Sequence, residues 1–282
     1  MLGFEYTRDH VARTISMAQS AYIDTMLDRF RMTNANPLSL PLNPNDNIFV
    51  SPLDTEERVL MQRKPYAKLI GSLLYAAIGT RPDIAYSVSL LARFMHDPAI
   101  IHFEAAKRVL RYLKGTRDSV LTFGSNSKGL MVYSDSDWAS HPDRHSVEGV
   151  VVMYNGGAIY WRSSKQKLVS LSSTESEYIA ASNASRELVS ARQVYSELMG
   201  TLSSRTPLFI DNKSTIKNIL SNLINPRTKH IDICFHHIRE TANLFALILH
   251  CPTEDMAANI LTKALSARVV KYLSSLLGLH SA

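Results

Sequence analysis

Acidic and amide side chains occupy four separated places along this 282-residue chain, each at the edge of a predictable helix or strand. They are Asp135 in VYSDSDW, Glu177 in SSTESEYIAAS, Asp211 in LFIDN, and the pair Asp255 and Asn259 in PTEDMAANILTK. Hard divalent cations prefer oxygen ligands, and two of them about 4 Å apart can stabilise both the attacking and the departing oxygen of a phosphodiester. The residue types therefore indicate two-metal phosphodiester chemistry, provided that the fold brings them together.

Each of these side chains also has an ordinary structural role. Asp135 and Asp137 lie two apart on a predicted strand, as a solvent-exposed acidic pair would. Glu177 follows Thr174 at the spacing of a capping box, which would direct it back to the start of its helix. Asp211 ends an apolar strand, where the default role is the N-cap of the next helix. Metal chemistry requires instead that these element ends converge at one edge of a sheet.

Other kinds of site are less well supported by the sequence. His230, Cys234 and His237 share one helical face and could bind zinc, but no fourth ligand lies close in the sequence. The chain has no Gly-x-Ser-x-Gly elbow and no phosphate-binding P-loop, which argues against a serine hydrolase or a P-loop nucleotidase. Trp138 and Trp161 are assigned to the core, although an aromatic side chain near the site could stack on a nucleotide.

Composition indicates a globular protein with 45% apolar and 20% charged residues. No run of 18 apolar residues occurs and the first ten residues do not form a secretory signal, so we expect no membrane association. The two cysteines, Cys234 and Cys251, fit free thiols in a reducing compartment. The net charge of +6 is compatible with a polyanionic partner.

Basic residues concentrate in the segment IHFEAAKRVLRYLKGT, which is predicted to be a helix ending at Gly115. Lys107, Arg111 and Lys114 lie away from its apolar stripe. A solvated helix face is the ordinary interpretation, and a surface that follows the phosphates of a nucleic acid is the alternative.

The pattern of predicted elements changes at GSNSKG, residues 124–129. Before it the chain is mostly helical by period. After it come the strand-like segments GLMVYSDSDW, VEGVVVMYN, GAIYWRSS and KLVSLSS, then a long helix from about Thr174 to Met199. The strand PLFID, further helices, the strand LFALILHC and a last helix from about Glu254 complete the chain. This order predicts a mixed α/β sheet with flanking helices.

Several of these segments, in the same order, resemble the ribonuclease H domain of copia-type retrotransposon Pol polyproteins. They are SDSDWAS, GGAIYWRSSKQKLVSLSSTESEYIAAS, LFIDNKSTI, RTKHIDICFHHIRE and PTEDMAANILTKAL. Upstream, YIDTMLDRFRM, PYAKLIGSLLYAAIGTRPDIAYSV and HFEAAKRVLRYLKGT resemble the end of the reverse transcriptase and its connection. The resemblance implies a mostly helical reverse-transcriptase remnant (palm end and thumb- or connection-like) over 1–124. It further implies a ribonuclease H-like domain with a five-stranded mixed sheet over 129–266, and a C-terminal tail over 267–282.

The resemblance also implies an activity, which is cleavage of the RNA strand of RNA–DNA hybrids during reverse transcription with two Mg²⁺ or Mn²⁺ ions. By position, Asp135, Glu177 and Asp211 would be the catalytic metal ligands. The family's fourth carboxylate precedes Ile-Leu-Thr-Lys, where this chain has Asn259. An amide keeps an oxygen but loses the charge, so we expect weaker binding of the second metal and reduced cleavage. Asp255, on the same face of the predicted last helix, is a candidate substitute.

Two further interpretations follow from the same residues. A catalytically inactive relic would bind nucleic acid without hydrolysing it, and a structural zinc domain would use His230 and His237. The chain lacks a Tyr-x-Asp-Asp motif, so polymerase activity is not expected of it. The expected partners are an RNA–DNA hybrid, contacted by Lys107, Arg111 and Lys114, and the rest of a retrotransposon polyprotein. The expected location is intracellular, in a cytoplasmic particle or the nucleus.

Overall fold

The structure is a computed structural model that describes residues 3–52, 54–124, 129–221 and 232–281. They fall into two units, one formed by residues 1–125 with 263–282 and the other by residues 126–262. In chain order the elements are β1 (Glu5–Asp9), β2 (Thr14–Ala18), α1 (Ser20–Arg29), α2 (Thr55–Gln62), α3 (Tyr66–Gly79), α4 (Ala85–Ala92), α5 (Ile100–Gly115), β3 (Ser119–Phe123), β4 (Met131–Asp137), β5 (Val147–Tyr154), β6 (Gly157–Lys165), α6 (Ser173–Met199), β7 (Thr206–Ile210), α7 (Lys213–Leu220), α8 (Asp232–Leu244), β8 (Ala246–His250), α9 (Ala267–Leu276) and β9 (Leu279–Ser281). None of the helices among these residues is long and apolar enough to cross a bilayer.

The first unit combines the predicted helices with a sheet that the sequence did not predict. Strands β1, β2, β3 and β9 form an antiparallel sheet in that order. The residues expected to be a C-terminal tail instead form α9 and β9, and β9 pairs with β3. Strand β1 is exposed at every position and β9 has three residues, so neither shows the apolar alternation by which a strand is recognised.

A buried ion pair links two parts of this first unit. The Arg81 guanidinium donates to both carboxylate oxygens of Asp83, at 3.0 and 2.7 Å, and Arg81 is only 1% exposed. Arg81 also donates to the main-chain oxygen of Thr116 at 2.9 Å, just beyond α5, and the Tyr112 hydroxyl donates to Asp83 at 2.7 Å. The pair therefore joins the 3₁₀ turn at Pro82–Ile84 to the end of α5.

The second unit contains a five-stranded sheet in the order β6-β5-β4-β7-β8. Strands β4, β5 and β6 are antiparallel neighbours, whereas β7 is parallel to both β4 and β8. The β5–β6 turn contains Asn155 and Gly156, both with positive φ, as two-residue hairpin turns favour. This arrangement confirms the predicted fold class, a ribonuclease H-like mixed five-stranded sheet with flanking helices.

One face of this sheet is covered by α6 and α8, which together with the strands form the core of the unit. Strands β4, β5, β7 and β8 contribute apolar side chains to it. Helix α6 contributes Tyr178, Ala181, Ala184 and Leu188, spaced three or four residues apart as a buried helical stripe requires. This packing fixes the N-terminal turns of α6 beside β4.

Two predicted elements of this unit differ from the structure. The segment KLVSLSS, predicted as strand-like, is a loop between β6 and α6. The predicted last helix from Glu254 consists of two 3₁₀ turns, Thr253–Asp255 and Ala257–Leu261, separated by Met256. Met256 has an extended backbone (φ −71°, ψ 95°) and is fully buried, so the helix cannot continue through it.

Candidate metal centre

The central strand β4 places Asp135 near its C-terminal end, paired on one side with β5 and on the other with β7. Asp135 is buried and lies opposite Gly149 on β5. A Cβ atom at Gly149 would lie 2.7 Å from the main-chain oxygen of Ala258 and 2.9 Å from Cβ of Leu261. Glycine at this position therefore lets residues 257–262 pack against the sheet next to Asp135.

Helix α6 places Glu177 in its second turn, and another residue caps the helix. The N-cap is Ser172, whose side chain accepts from the main-chain N–H of Glu175 at 3.2 Å. The Glu175 carboxylate in turn accepts from the N–H of Leu171 at 3.1 Å. The capping role considered for Glu177 is thus performed two residues earlier. Glu177 is buried and accepts from the main-chain N–H of Ser136 at 3.2 Å.

Asp211 follows directly after β7, and it does not cap the next helix either. The N-cap of α7 is Asn212, whose side chain accepts from the N–H of Thr215 at 3.0 Å. The carboxylate of Asp211 accepts instead from the hydroxyl of Thr253 at 3.0 Å. Asp211 therefore remains available beside β4, because β7 is the parallel neighbour of that strand.

The carboxylates of Asp135, Glu177 and Asp211 lie close together. One oxygen each from Asp135, Glu177 and Asp211 lies within 4.8 Å of the others, and two of the three residues are buried. Burial, reinforced by the charges of Asp135 and Asp211, raises the pKa of Glu177 well above its ordinary value. Within the part of the chain that the structure describes, Oε2 of Glu177 is buried and has no hydrogen-bond partner. The cluster thus combines concentrated negative charge with an unsatisfied acceptor.

Asn259 at the fourth position is 5% exposed, and its amide has a defined orientation. Its Nδ2 donates to the main-chain oxygen of Thr253 at 2.8 Å. This bond fixes which of the two amide atoms faces Thr253 and leaves Oδ1 on the opposite side. That atom, Oδ1, is buried and lacks a hydrogen-bond partner among the described residues. Asp255, by contrast, is exposed at the end of the preceding 3₁₀ turn and is not in the carboxylate group. The prediction that Asp255 and Asn259 share one helical face is wrong, because the extended backbone of Met256 separates the two 3₁₀ turns in which they lie.

Two threonines that the sequence reasoning missed contact the carboxylates from residues 253–262. Thr253 donates its hydroxyl to Asp211 and its main-chain oxygen accepts from Asn259. The hydroxyl of Thr262 lies 2.6 Å from Oδ2 of Asp135 and 3.0 Å from the main-chain oxygen of Asn259, both acceptors for its single proton. The Thr-Lys after Ile-Leu was visible in the sequence, but nothing in the spacing indicated that this hydroxyl reaches β4.

The basic residues predicted to contact nucleic acid all have partners within the first unit. Lys107 forms an ion pair with Glu104 at 3.0 Å. Arg111 donates to the main-chain oxygen of Asn36 at 2.7 Å, and Lys114 donates to two main-chain oxygens of residues 33–35. Arg111 and Lys114 therefore fasten the loop after α1 to α5, and neither has an ion-pair partner among the described residues.

The remaining alternatives of the sequence analysis concern α8 and the tryptophans. His230 lies outside the described residues. Cys234 and His237 lie in α8 and belong to no group of metal-ligating side chains found in the described ranges.

Trp138, which was assigned to the core, is 47% exposed at the end of β4, and its indole N–H donates to the main-chain oxygen of Ser170 at 3.1 Å. The core assignment of Trp138 is therefore wrong.

Comparison with known proteins assigns the chain to a family. No protein-family model matches it. The retrovirus-related Pol polyprotein from transposon TNT 1-94 of Nicotiana tabacum is 37% identical over 285 residues, which cover 100% of this chain and 21% of that protein. The polyprotein from transposon RE1 of Arabidopsis thaliana is 35% identical over 280 residues, 98% of this chain and 19% of that protein. The chain belongs to the copia-type retrotransposon Pol polyproteins and spans about a fifth of the length of these two relatives.

Two other similarities cover about half of the chain. The secreted RxLR effector protein 161 of Plasmopara viticola is 44% identical over 131 residues, 46% of this chain and 92% of that protein. Among solved structures, LC11-RNase H1 in complex with an RNA/DNA hybrid aligns with 47% of this chain and 93% of that chain, at 16% identity and a TM-score of 0.37. The fold assignment of the second unit rests on its own strand order and strand directions.

Proposed function

We propose that the second unit is a divalent-metal-dependent endonuclease that cleaves the RNA strand of RNA–DNA hybrids. The observation that supports it most is the approach of Asp135, Glu177 and Asp211 to within 4.8 Å of one another. Carboxylates this close repel one another, and burial removes much of the water that would screen them. Divalent cations offset this repulsion and prefer oxygen ligands, so the donor set fits Mg²⁺ or Mn²⁺.

Three carboxylates and one amide oxygen would hold the ions. Asp135, Glu177 and Asp211 supply the negative charge, and Oδ1 of Asn259 supplies a neutral fourth ligand. Bound divalent ions supply Lewis acidity, which activates water and stabilises the departing oxygen of a phosphodiester. Because Asn259 adds no charge, we expect weaker binding of the second ion and slower cleavage than a carboxylate at this position would give.

The surrounding residues would hold the ligands in place before any ion arrives. The N–H of Ser136 fixes one oxygen of Glu177, and the hydroxyls of Thr253 and Thr262 each approach one oxygen of Asp211 and Asp135. At Glu177 this bond occupies Oε1 and leaves Oε2, which has no hydrogen-bond partner among the described residues, for an ion or a water. Such preorganisation reduces the reorganisation that binding would otherwise require.

The substrate and the partners of this activity follow from the family and from the charge of the chain. The Pol relatives are several times longer than this chain, so the rest of such a polyprotein is the proposed partner and an intracellular particle or the nucleus the proposed location. Lys107, Arg111 and Lys114 are proposed to contact hybrid phosphates. Arg111 and Lys114 keep the charge this requires, while Lys107 would have to give up its pairing with Glu104.

The test is hybrid cleavage by the purified 282-residue chain. A labelled RNA–DNA hybrid is incubated with the parent chain, Asp135→Asn and Asn259→Asp, each in Mg²⁺ and in Mn²⁺. We expect slow cleavage by the parent chain, none by Asp135→Asn, and faster cleavage by Asn259→Asp. Absence of cleavage by both the parent chain and a correctly folded Asn259→Asp variant would refute the nuclease.

A second candidate function, a non-catalytic domain that binds hybrids, is favoured by the missing fourth carboxylate. It predicts salt-dependent binding without metal-dependent hydrolysis. Titration calorimetry separates the two candidates, because two Mn²⁺ sites support the nuclease and one or none supports the non-catalytic domain.

A further inference from the structure

Four large apolar side chains are exposed on two short segments that adjoin the carboxylate group. They are Trp138 directly after β4, and Leu168, Val169 and Leu171 in the loop between β6 and α6; we call these four the rim surface. Leu171 is 74% exposed and the other three are 46–47% exposed. Trp138 lies three residues after Asp135. The exposure of four large apolar residues on two adjoining segments is the kind of feature that marks an interaction site.

Hydrogen bonds hold the loop of the rim surface in a defined conformation. The indole N–H of Trp138 bonds to the main-chain oxygen of Ser170, and the Ser170 hydroxyl bonds to the side chain of Gln166 at 3.2 Å. Gln166 is buried, and its amide donates at 2.9 Å to the main-chain oxygen of Ser176, the residue before Glu177. The loop is therefore fastened both to the end of β4 and to the turn of α6 that presents Glu177.

Cations flank the rim surface. Lys167 precedes Leu168, is exposed, and has no ion-pair or hydrogen-bond partner among the described residues. Arg144 is likewise exposed, and its neighbour His145 bonds through Nδ1 to the main-chain oxygen of Gln166 at 2.8 Å. A nucleic-acid strand has two parts that such a surface could contact. Aromatic and aliphatic side chains can pack against its sugars or bases, and the flanking cations can contact its phosphates.

We propose that the rim surface binds the nucleic-acid strand next to the phosphodiester that the carboxylate group cleaves. The Trp138 indole packs against a sugar or base of that strand, and Lys167 contacts a phosphate. The choice of a nucleic acid rests on the proposed function of the adjoining carboxylates and on the exposed cations Lys167 and Arg144, which an apolar protein partner would not require.

The test measures hybrid binding separately from cleavage. Binding of a labelled RNA–DNA hybrid is followed in EDTA by fluorescence anisotropy for the parent chain, Trp138→Ala, Trp138→Phe and Lys167→Ala. Leu198→Ala is the matched control, since Leu198 is also exposed but lies about 30 Å along α6 from Glu177 at 1.5 Å per residue. In addition, Trp161→Phe leaves Trp138 as the only tryptophan, so that stacking can be observed as quenching of its fluorescence.

Loss of the indole should weaken hybrid binding roughly 5- to 150-fold, the range for removing one stacking aromatic side chain, and Trp138→Phe should retain part of the affinity. Lys167→Ala should lower the slope of log affinity against log salt by about one. Leu198→Ala should bind like the parent chain, and hybrid should quench Trp138 fluorescence.

Unchanged affinity in a folded Trp138→Ala variant would overturn the proposal, whether or not the parent chain cleaves hybrids. A shift from dimer to monomer in Trp138→Ala, measured by light scattering, would overturn it in favour of contact between copies of the chain. Conversely, quenching and weakened binding, with no cleavage by the parent chain or a folded Asn259→Asp variant in either metal, would support binding at the rim surface and refute the nuclease, so the two failures can be distinguished.

Discussion

The substitution Asn259→Asp should make the second unit less stable without metal and more responsive to metal. In the parent chain, Nδ2 of Asn259 donates to the main-chain oxygen of Thr253 at 2.8 Å, and the residue is buried. An ionised carboxylate cannot donate, so it would place a charged oxygen against the Thr253 oxygen. It would also add a fourth negative charge to a region that holds three carboxylates.

The magnitude follows from these two effects. Loss of the hydrogen bond costs about 1 kcal/mol, and a buried charge without a partner raises the total to about 3 kcal/mol at pH 7. Burial and the neighbouring carboxylates raise the pKa of the new carboxyl group above its ordinary value. A group whose pKa is raised by folding is stabilising while protonated, and this stability is lost as pH rises through the raised pKa. The loss in free energy of unfolding caused by Asn259→Asp should therefore be small near pH 4 and reach its full value near pH 7.

Urea denaturation followed by tryptophan fluorescence is the assay, because Trp138 and Trp161 both lie in the second unit. In EDTA at pH 7 we expect Asn259→Asp to lose about 3 kcal/mol, and Mn²⁺ at 100 times its Kd to restore about 2.7 kcal/mol. Asn218→Asp makes the same chemical change at an exposed position of α7 and should change stability by at most about 0.5 kcal/mol. Equal stability of Asn259→Asp and the parent chain in EDTA at pH 7 would refute this account of the amide.

Three further predictions concern single groups. Because folding raises the pKa of Glu177, its carboxyl group stabilises the fold while protonated and loses this effect as pH rises. Glu177→Gln has no such group, so in EDTA it should be more stable than the parent chain at pH 7. Its free energy of unfolding in urea should also vary less from pH 5 to 8. Thr262→Val should weaken Mn²⁺ binding about 5- to 10-fold by calorimetry, the effect of losing a hydrogen bond of about 1 kcal/mol to Asp135, and Thr262→Ser should restore it. Asp83→Asn should destabilise the first unit by about 3–5 kcal/mol in urea melts followed by circular dichroism, since it leaves the buried Arg81 charge unpaired; a loss below about 1 kcal/mol would contradict this.

The sequence predicted the strands and helices of the second unit wherever apolar periodicity and tertiary burial agree. Strand β5 is buried at seven of its eight positions, and α6 presents a regular apolar stripe to the sheet. These are strong patterns, and they placed Asp135, Glu177 and Asp211 at the correct element ends. Their convergence depended on the tertiary structure, because β7 pairs with β4 and α6 packs against the sheet only in the folded unit.

Local hydrogen bonding was harder to predict, because competing partners satisfy the same sequence pattern. Ser172 with Glu175 and Thr174 with Glu177 both match a helix start, and only the packing of α6 on β4 decides that Glu175 serves the cap. Similarly, KLVSLSS is a short segment with the apolar content of a strand, yet Gln166 and Ser170 hold it as a loop. Its apolar side chains, Leu168, Val169 and Leu171, are therefore exposed.

The two candidate functions of the second unit differ in charge rather than in shape. Asn259 offers an amide oxygen without a negative charge, so the repulsion that a bound metal would offset arises from three carboxylates and not four. Of the contacts that hold this segment, only the bond from Nδ2 of Asn259 to Thr253 depends on the amide, because the hydroxyls of Thr253 and Thr262 reach Asp211 and Asp135 independently of residue 259. A negative charge at position 259 should therefore strengthen metal binding and, without metal, destabilise the second unit.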